Sequence, residues 1–303
     1  MTDFHSGFVA VIGRPNVGKS TLVNTLLGQK VAAVSPRAQT TRRRQLGILT
    51  TDEAQLVFVD TPGLHQAKHK LGEFLNQEAV EALSGVDVLL FLVDGSHAPE
   101  DEDRQIASRL KGLKHPPPIL IGLNKADLMN GPELDKEAGL FQELLPGCQQ
   151  VTLSALNGAG CLDLVKTLVA LLPKRSPDFP PDQLTDLYER EIAADLIRES
   201  ALNFLRDEVP HGLAVRIDEF TERSETGAYI AATLFVERES QKGIVIGEGA
   251  RMLKQIGSAA RYEIETMGGR KVFLQLRVKV AKGWRDDEHQ LERLGYKIKK
   301  KKK

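Results

Sequence analysis

Gly13-Arg14-Pro15-Asn16-Val17-Gly18-Lys19-Ser20 is the stretch from which the rest of the chain can be read. It follows an apolar run at 8–12 and opens a helical pattern at 19–27. A strand, a glycine-bounded turn and a helix start, with Lys and Ser closing the turn, form the context of a phosphate-binding loop. The glycines let the backbone curl so that its N–H groups converge on phosphate. The positive end of the following helix faces the same charge. Lys19 is expected to reach the β- and γ-phosphates, and the Ser20 hydroxyl to coordinate Mg²⁺. A glycine turn without a ligand is the competing reading, and the motifs downstream count against it.

Asp60-Thr61-Pro62-Gly63 follows a strand pattern at 56–59. There Asp60 can hold Mg²⁺ through water, and the Gly63 N–H can meet the γ-phosphate. Asn124-Lys125-Ala126-Asp127 follows the strand pattern at 118–123. A carboxylate at Asp127 accepts from guanine N1–H and N2–H together, a donor pair that adenine lacks. Asn124 is expected at the purine edge and in holding the loop, and the Lys125 stem over the ring face. Ser154-Ala155-Leu156 would bring a backbone N–H to guanine O6. Between the phosphate loop and Asp60, the polar, basic stretch Gln39-Thr40-Thr41-Arg42 can order around γ-phosphate and Mg²⁺. Thr41 is assigned the second Mg²⁺ hydroxyl, with Thr40 as the alternative. The nucleotide read from these motifs is GTP, hydrolysed to GDP.

Strand patterns at 8–12, 56–59, 88–93, 118–123 and 151–153 alternate with helical patterns at 19–27, 71–83, 102–110, 132–145 and 161–172. Such alternation predicts an α/β fold with a mostly parallel sheet, helices on both faces and ligands at the carboxyl ends of the strands. Four prolines in 173–181 break the pattern. The organisation expected is a nucleotide-binding domain over 1–174, a linker over 175–182, a smaller α+β domain over 183–285 and a basic extension over 286–303. The smaller domain reads as a helix (185–208), two strands (214–221, 228–236), helices at 243–246 and 252–267, and a strand (271–280).

Lys plus Arg and Asp plus Glu are both 41 of 303 residues, so net charge does not signal a nucleic-acid partner. The last seven residues, however, are lysine except Ile298, which reads as a solvated tail able to touch phosphate. Cys148 and Cys161 lack metal-ligand spacing and read as reduced thiols. The first residues lack a signal-peptide pattern and no apolar run could span a bilayer, so the expected compartment is the cytoplasm.

Two family resemblances follow. Gly13 to Ser20, with Leu64 where Ras-like enzymes place a water-orienting Gln, resembles the TrmE–Era branch of GTPases. In that branch the asparagine corresponding to Asn16 ligates K⁺, which implies slow hydrolysis stimulated by K⁺ over Na⁺. Val245 to Gly257 resembles the heart of a KH domain of the prokaryotic type, where a G-x-x-G loop clamps single-stranded nucleotides. The expected RNA contacts are Lys242, Ile246, Gly247, Glu248, Gly249, Ala250, Arg251 and Lys254. Ile244, Ile246 and Ile256 read either as groove lining or as core. The loop here is Gly247-Glu248-Gly249-Ala250: Ala250 adds a Cβ where phosphate would approach, and Glu248 repels it. Lys242, Arg251, Lys254, Arg261 and Arg270 read either as cations that compensate or, singly, as solvated surface charges.

The whole order of motifs resembles the Era family. That resemblance implies binding to the 3′ end of small-subunit (16S) ribosomal RNA, help in maturing the small ribosomal subunit, and peripheral association with the inner membrane face, which the lysine tail would support. Two other readings remain at this point: a transfer-RNA modification GTPase, and a membrane or cell-cycle regulator whose second domain binds protein.

Overall fold

Strand β4 (Val88–Asp94) shows why a central sheet forms. Val88, Leu90 and Leu92 enter one core while Leu89, Phe91 and Val93 enter another, all fully buried. A strand apolar on both sides has to lie between two helical layers. The computed structural model describes residues 3–35, 41–42, 44–62, 69–81, 85–224 and 227–296. Around β4 run β1 (His5–Ile12), β2 (Gln45–Thr50), β3 (Ala54–Asp60), β5 (Ile119–Asn124) and β6 (Gln149–Thr152), in the order β2-β3-β1-β4-β5-β6. Every pairing is parallel except that of β2 with β3. Helices α1 (Lys19–Leu27) and α5 (Cys161–Leu171) cover one face. The other carries α3 (Asp101–Lys111), α4 (Gly131–Leu144) and the end of α2 (Lys70–Glu81).

The chain divides into two compact units, with the boundary at Asp186/Leu187 and two short stretches, within 33–40 and 67–74, grouped with the second. The segment expected as a linker, 175–182, lies inside the first unit. Gln55 is fully buried and holds it, donating to Phe179 O at 2.9 Å and accepting from the Asp178 and Phe179 N–H groups at 2.8 and 3.0 Å. Leu184 O then accepts from the Ile48 N–H of edge strand β2, and Asp186 Oδ1 from that of Leu46. Prolines remove donors, but the carbonyls and side chains between them remain available.

In the second unit, α6 (Glu189–Phe204) begins later than its pattern suggested. It is followed by β7 (Ala214–Ser224), β8 (Gly227–Val236), α7 (Glu239–Ile246), α8 (Arg251–Gly268) and β9 (Lys271–Val280). The sheet order is β7-β8-β9, with β7–β8 antiparallel and β8–β9 parallel. Ile230, Ala232, Leu234 and Val236 of β8 turn inward onto Leu196 and Ile197 of α6 and Ile256 and Ala260 of α8. The expected basic extension folds as far as Tyr296. Helix α9 (Glu288–Arg293) buries Leu291, and Trp284 stacks on Tyr296 with centroids 6.1 Å apart while its indole N–H donates to Gly212 O. The lysine tail, 297–303, lies outside the described residues, among which no helix is long and apolar enough to cross a membrane.

Candidate functional site

The phosphate loop needs its glycines for space as well as for rotation. A Cβ on Gly13 would lie 2.2 Å from Leu92 O, and one on Gly18, where φ is 102°, would lie 2.3 Å from Asn124 Nδ2. Arg14 and Pro15 are half-buried and Val17 is core. Asn16 is exposed at the turn with φ 64°, a left-handed conformation that asparagine tolerates better than most residues. Lys19 is buried, with Nζ donating to Gly13 O at 3.0 Å and Arg14 O at 2.9 Å. Burial holds its ammonium down to about 8.

Three residues expected at the metal meet here. Ser20 Oγ lies 2.8 Å from Thr41 Oγ1 and donates to Asp60 Oδ2 at 2.6 Å, and Thr41 Oγ1 also reaches that oxygen at 3.4 Å. Asp60 is fully buried, and burial pushes its carboxyl up against the opposing pull of Ser20 and Lys19. Its other oxygen, Oδ1, has no hydrogen-bond partner among the described residues. Two hydroxyls and a carboxylate, all hard oxygens, fit Mg²⁺. Thr61 anchors the strand end by donating to Val11 O at 2.9 Å, and Pro62 is buried beside it. Gly63, Leu64, Gln39 and Thr40 lie outside the described residues.

At the base-recognition end Asn124 takes up the loop-holding role expected of it. Asn124 Nδ2 donates to Val17 O at 2.7 Å and its Oδ1 accepts from the Ala155 N–H at 2.8 Å. With each end of its amide engaged, Asn124 ties three loops together, and these bonds leave the second N–H of Nδ2 for the purine edge it is expected to meet. Ala155 N–H is thereby committed and Ser154 N–H donates to Ala159 O, which leaves the Leu156 amide of the tripeptide. Asp127 is exposed, and Leu156 is 79% exposed at the same end of the sheet. Ala126 N–H donates to Leu153 O, joining the two loops. Lys125, at φ 65°, donates to Asp94 Oδ2 at 2.6 Å. Asp94 was not singled out from the sequence, yet it also faces Arg14 at 3.7 Å, while Arg14 pairs with Glu100 and Asp103.

In the second unit the loop Gly247-Glu248-Gly249-Ala250 joins α7 to α8. Gly247 has φ 72°, and a Cβ there would meet Met252 at 2.8 Å, whereas the space at Gly249 is open. Ala250 takes the left-handed conformation at φ 61°, a strain of about 1–2 kcal/mol for a residue with a Cβ. No side chain caps α8, so its first N–H groups remain available to an anion. Beside the loop runs a groove of about 280 Å³, with Ala250, Leu253, Lys254 and Arg261 against Leu274 and Leu276 of β9. Glu248 and Arg251 are exposed, and Ile246 is half-buried. Ile244 is exposed, but Ile256 is core and does not line the groove. Arg270 is engaged by Glu189 and Glu222, and Lys242 lies 3.5 Å from Glu239. Arg270 therefore serves the fold.

Residues 8–125 match the family described as a 50S ribosome-binding GTPase, and residues 208–285 match the KH domain. The chain is 46% identical over 294 residues to GTPase Era of Geobacter metallireducens, covering 97% of this chain and 98% of that protein. It belongs to the Era family of GTPases. A crystal structure of an Era variant from Aquifex aeolicus bound to GDP and AlF4⁻ superimposes with a TM-score of 0.92 at 38% identity, covering 97% of this chain and all of that one. Era in complex with MgGDPNP and nucleotides 1506–1542 of 16S ribosomal RNA matches equally well, with the same identity and coverage.

Proposed function

We propose that this Era-family GTPase is a GTP-controlled switch that binds the 3′ end of small-subunit ribosomal RNA and assists maturation of the small ribosomal subunit. The observation that carries this reading is the pairing, in one chain, of a guanine-nucleotide site with a KH groove. The relative solved with 16S ribosomal RNA and MgGDPNP has the same architecture over its full length.

In this reading Ser20 and Thr41 ligate Mg²⁺ directly and Asp60 holds it through water. When bound, the ion neutralises charge on the β- and γ-phosphates. Lys19 and the backbone from Gly13 to Gly18 grip the phosphates, Asp127 selects guanine, a backbone N–H of Ser154-Ala155-Leu156 meets guanine O6, and the Lys125 stem covers the base. Gly63 meets the γ-phosphate, and Leu64 offers no group to orient water. Asn16 carries a neutral oxygen at an exposed turn, a donor suited to K⁺. Hydrolysis is then faster in K⁺ than in Na⁺, and Asn16→Ala removes the difference; equal rates in the two salts for the unaltered protein reject the potassium role.

Lys254, Arg251 and the α8 N-terminus hold RNA phosphates beside the groove, while Glu248 and Ala250 weaken the grip. The protein works in the cytoplasm, with the lysine tail supporting reversible contact with an anionic membrane face. The test is binding to a fluorescent RNA copied from the 3′ end of small-subunit ribosomal RNA, against a scrambled RNA of equal length. Preference for the authentic sequence is expected, and equal affinity for both removes the ribosomal assignment.

A further inference from the structure

β9 is an edge strand, paired only with β8. On one face its Leu274 and Leu276 line the α8 groove. On the other, Lys271, Phe273, Gln275, Arg277 and Lys279 are all exposed. The parallel register sets Tyr229 of β8 against Phe273, and their rings stack at 5.8 Å between centroids and 19° between planes. The Arg223 guanidinium lies 4.8 Å from the Tyr229 centroid, and Tyr229 Oη donates to Gln275 Oε1 at 2.6 Å. The result is an ordered pile, Arg223 on Tyr229 on Phe273, built on the solvent face of the sheet. It ends at the sheet edge in a phenyl ring that is 66% exposed.

Around the pile β7 carries Asp218 and Glu219, whereas the exposed side of β9 itself carries only cations and neutral residues. Arg216 is matched by Asp218 at 2.7 Å, and Lys271 by Glu265 at 3.3 Å. Arg277 and Lys279 follow Phe273 on the same face with no carboxylate within salt-bridge distance among the described residues, although Asp218 attracts Lys279 from farther away. Alternate residues of a strand are about 6.6 Å apart, so Phe273 to Lys279 forms a row of roughly 20 Å. A cross-strand aromatic pair accounts for the Tyr229 contact, but not for an exposed ring followed by two exposed cations outside any salt bridge among the described residues. Flat aromatic surfaces beside a basic track are what a single strand of RNA uses, bases on the rings and phosphates on the cations.

We infer that the outer face of β9 is a second RNA-binding surface. A single strand leaving the groove crosses the edge strand, stacks one base on Phe273 and lays its phosphates along Arg277 and Lys279. This rests on the reading of the second unit as an RNA-binding domain. It adds a platform on the side of the sheet away from the groove and the Gly247–Ala250 loop.

The test uses the full chain and two RNAs: one of about four nucleotides, the span a KH loop clamps, and a longer one extending it in both directions. Phe273→Ala is expected to weaken the longer RNA about tenfold, within the range of one base–aromatic stack, and to leave the short one unchanged. Arg277→Glu weakens the longer RNA and flattens its salt dependence. Lys254→Glu, in the groove, weakens both. Unaltered affinity for the short RNA, which the groove of the same unit binds, checks that the second unit of Phe273→Ala folds. If the unaltered protein binds the longer RNA and Phe273→Ala binds it as tightly, the platform is refuted while the groove reading stands. If the unaltered protein binds neither RNA, the RNA reading itself fails. Phe273→Trp adds a direct signal, because Trp284, the chain's one tryptophan, is fully buried. The new indole should be quenched by the longer RNA. Quenching by phosphatidylserine–phosphatidylcholine vesicles but not by RNA would make the surface a membrane contact and overturn the inference.

Discussion

Asp94 stands at the carboxyl end of β4 and joins the two ends of the nucleotide site without being expected to touch nucleotide. It receives Lys125 of the base loop and faces Arg14 of the phosphate loop. Burial pushes its carboxyl up, but the hydrogen bonds from Lys125 and Ser96 outweigh that and hold it below the usual range. Asp94→Asn keeps the shape and removes the charge. A hydrogen bond to a charged group is worth about 1.5–3 kcal/mol, so GDP should dissociate about tenfold faster, read by stopped-flow with a fluorescent nucleotide. An unchanged rate would make Asp94 a packing residue. The sequence could nominate Lys19, Ser20, Asp60 and Asp127, because the motif around each assigns it to a ligand atom whose chemistry would fix the residue type. Asp94 acts only through other side chains, and no spacing rule points to it. Asn124 is an intermediate case: its motif gives it a part in holding the loop, and the geometry adds that Val17 and Ala155 are the partners.

The strands and helices that carry motifs were readable because they are strongly apolar or strongly periodic. β1, β3, β4 and β5 are runs of Val, Ile, Leu and Phe buried on two sides, and α1 runs over the residues its pattern indicated. β2 was not legible. Its sequence, Gln45-Leu46-Gly47-Ile48-Leu49-Thr50, contains a glycine that strand propensity disfavours. That glycine is required by packing, since a Cβ there would lie 2.5 Å from Val23. The proline-rich segment misled in the opposite direction, because composition reports missing donors and not the acceptors that Gln55 and β2 use. By holding 178–186 against β2 and β3, the first unit also covers an open sheet edge. Gln55→Ala should therefore cost about 2–4 kcal/mol, since the Asp178 and Phe179 N–H groups lose their acceptor. Thermal unfolding of the GDP-bound protein measures it, and a negligible shift in Tm would show that the segment packs without that side chain.

At the scale of the whole molecule, the proposed switch joins a nucleotide site that would distinguish GTP from GDP to a unit that would hold RNA. Such a switch exists only if the two ligands share a coupling free energy, and thermodynamic linkage makes that coupling reciprocal. Typical couplings of about 1–3 kcal/mol correspond to roughly 5- to 150-fold changes in affinity. The lysine tail and the cations of β9 add salt-dependent affinity that does not discriminate between nucleotide states. The nucleotide effect therefore has to be read at fixed salt. The most direct measurement is the affinity of the full chain for RNA from the 3′ end of small-subunit ribosomal RNA, with GDP and with a non-hydrolysable GTP analogue. RNA binding at least about fivefold tighter with the analogue is predicted, with RNA tightening the analogue by the same factor. Equal RNA affinity in the two nucleotide states would contradict the switch.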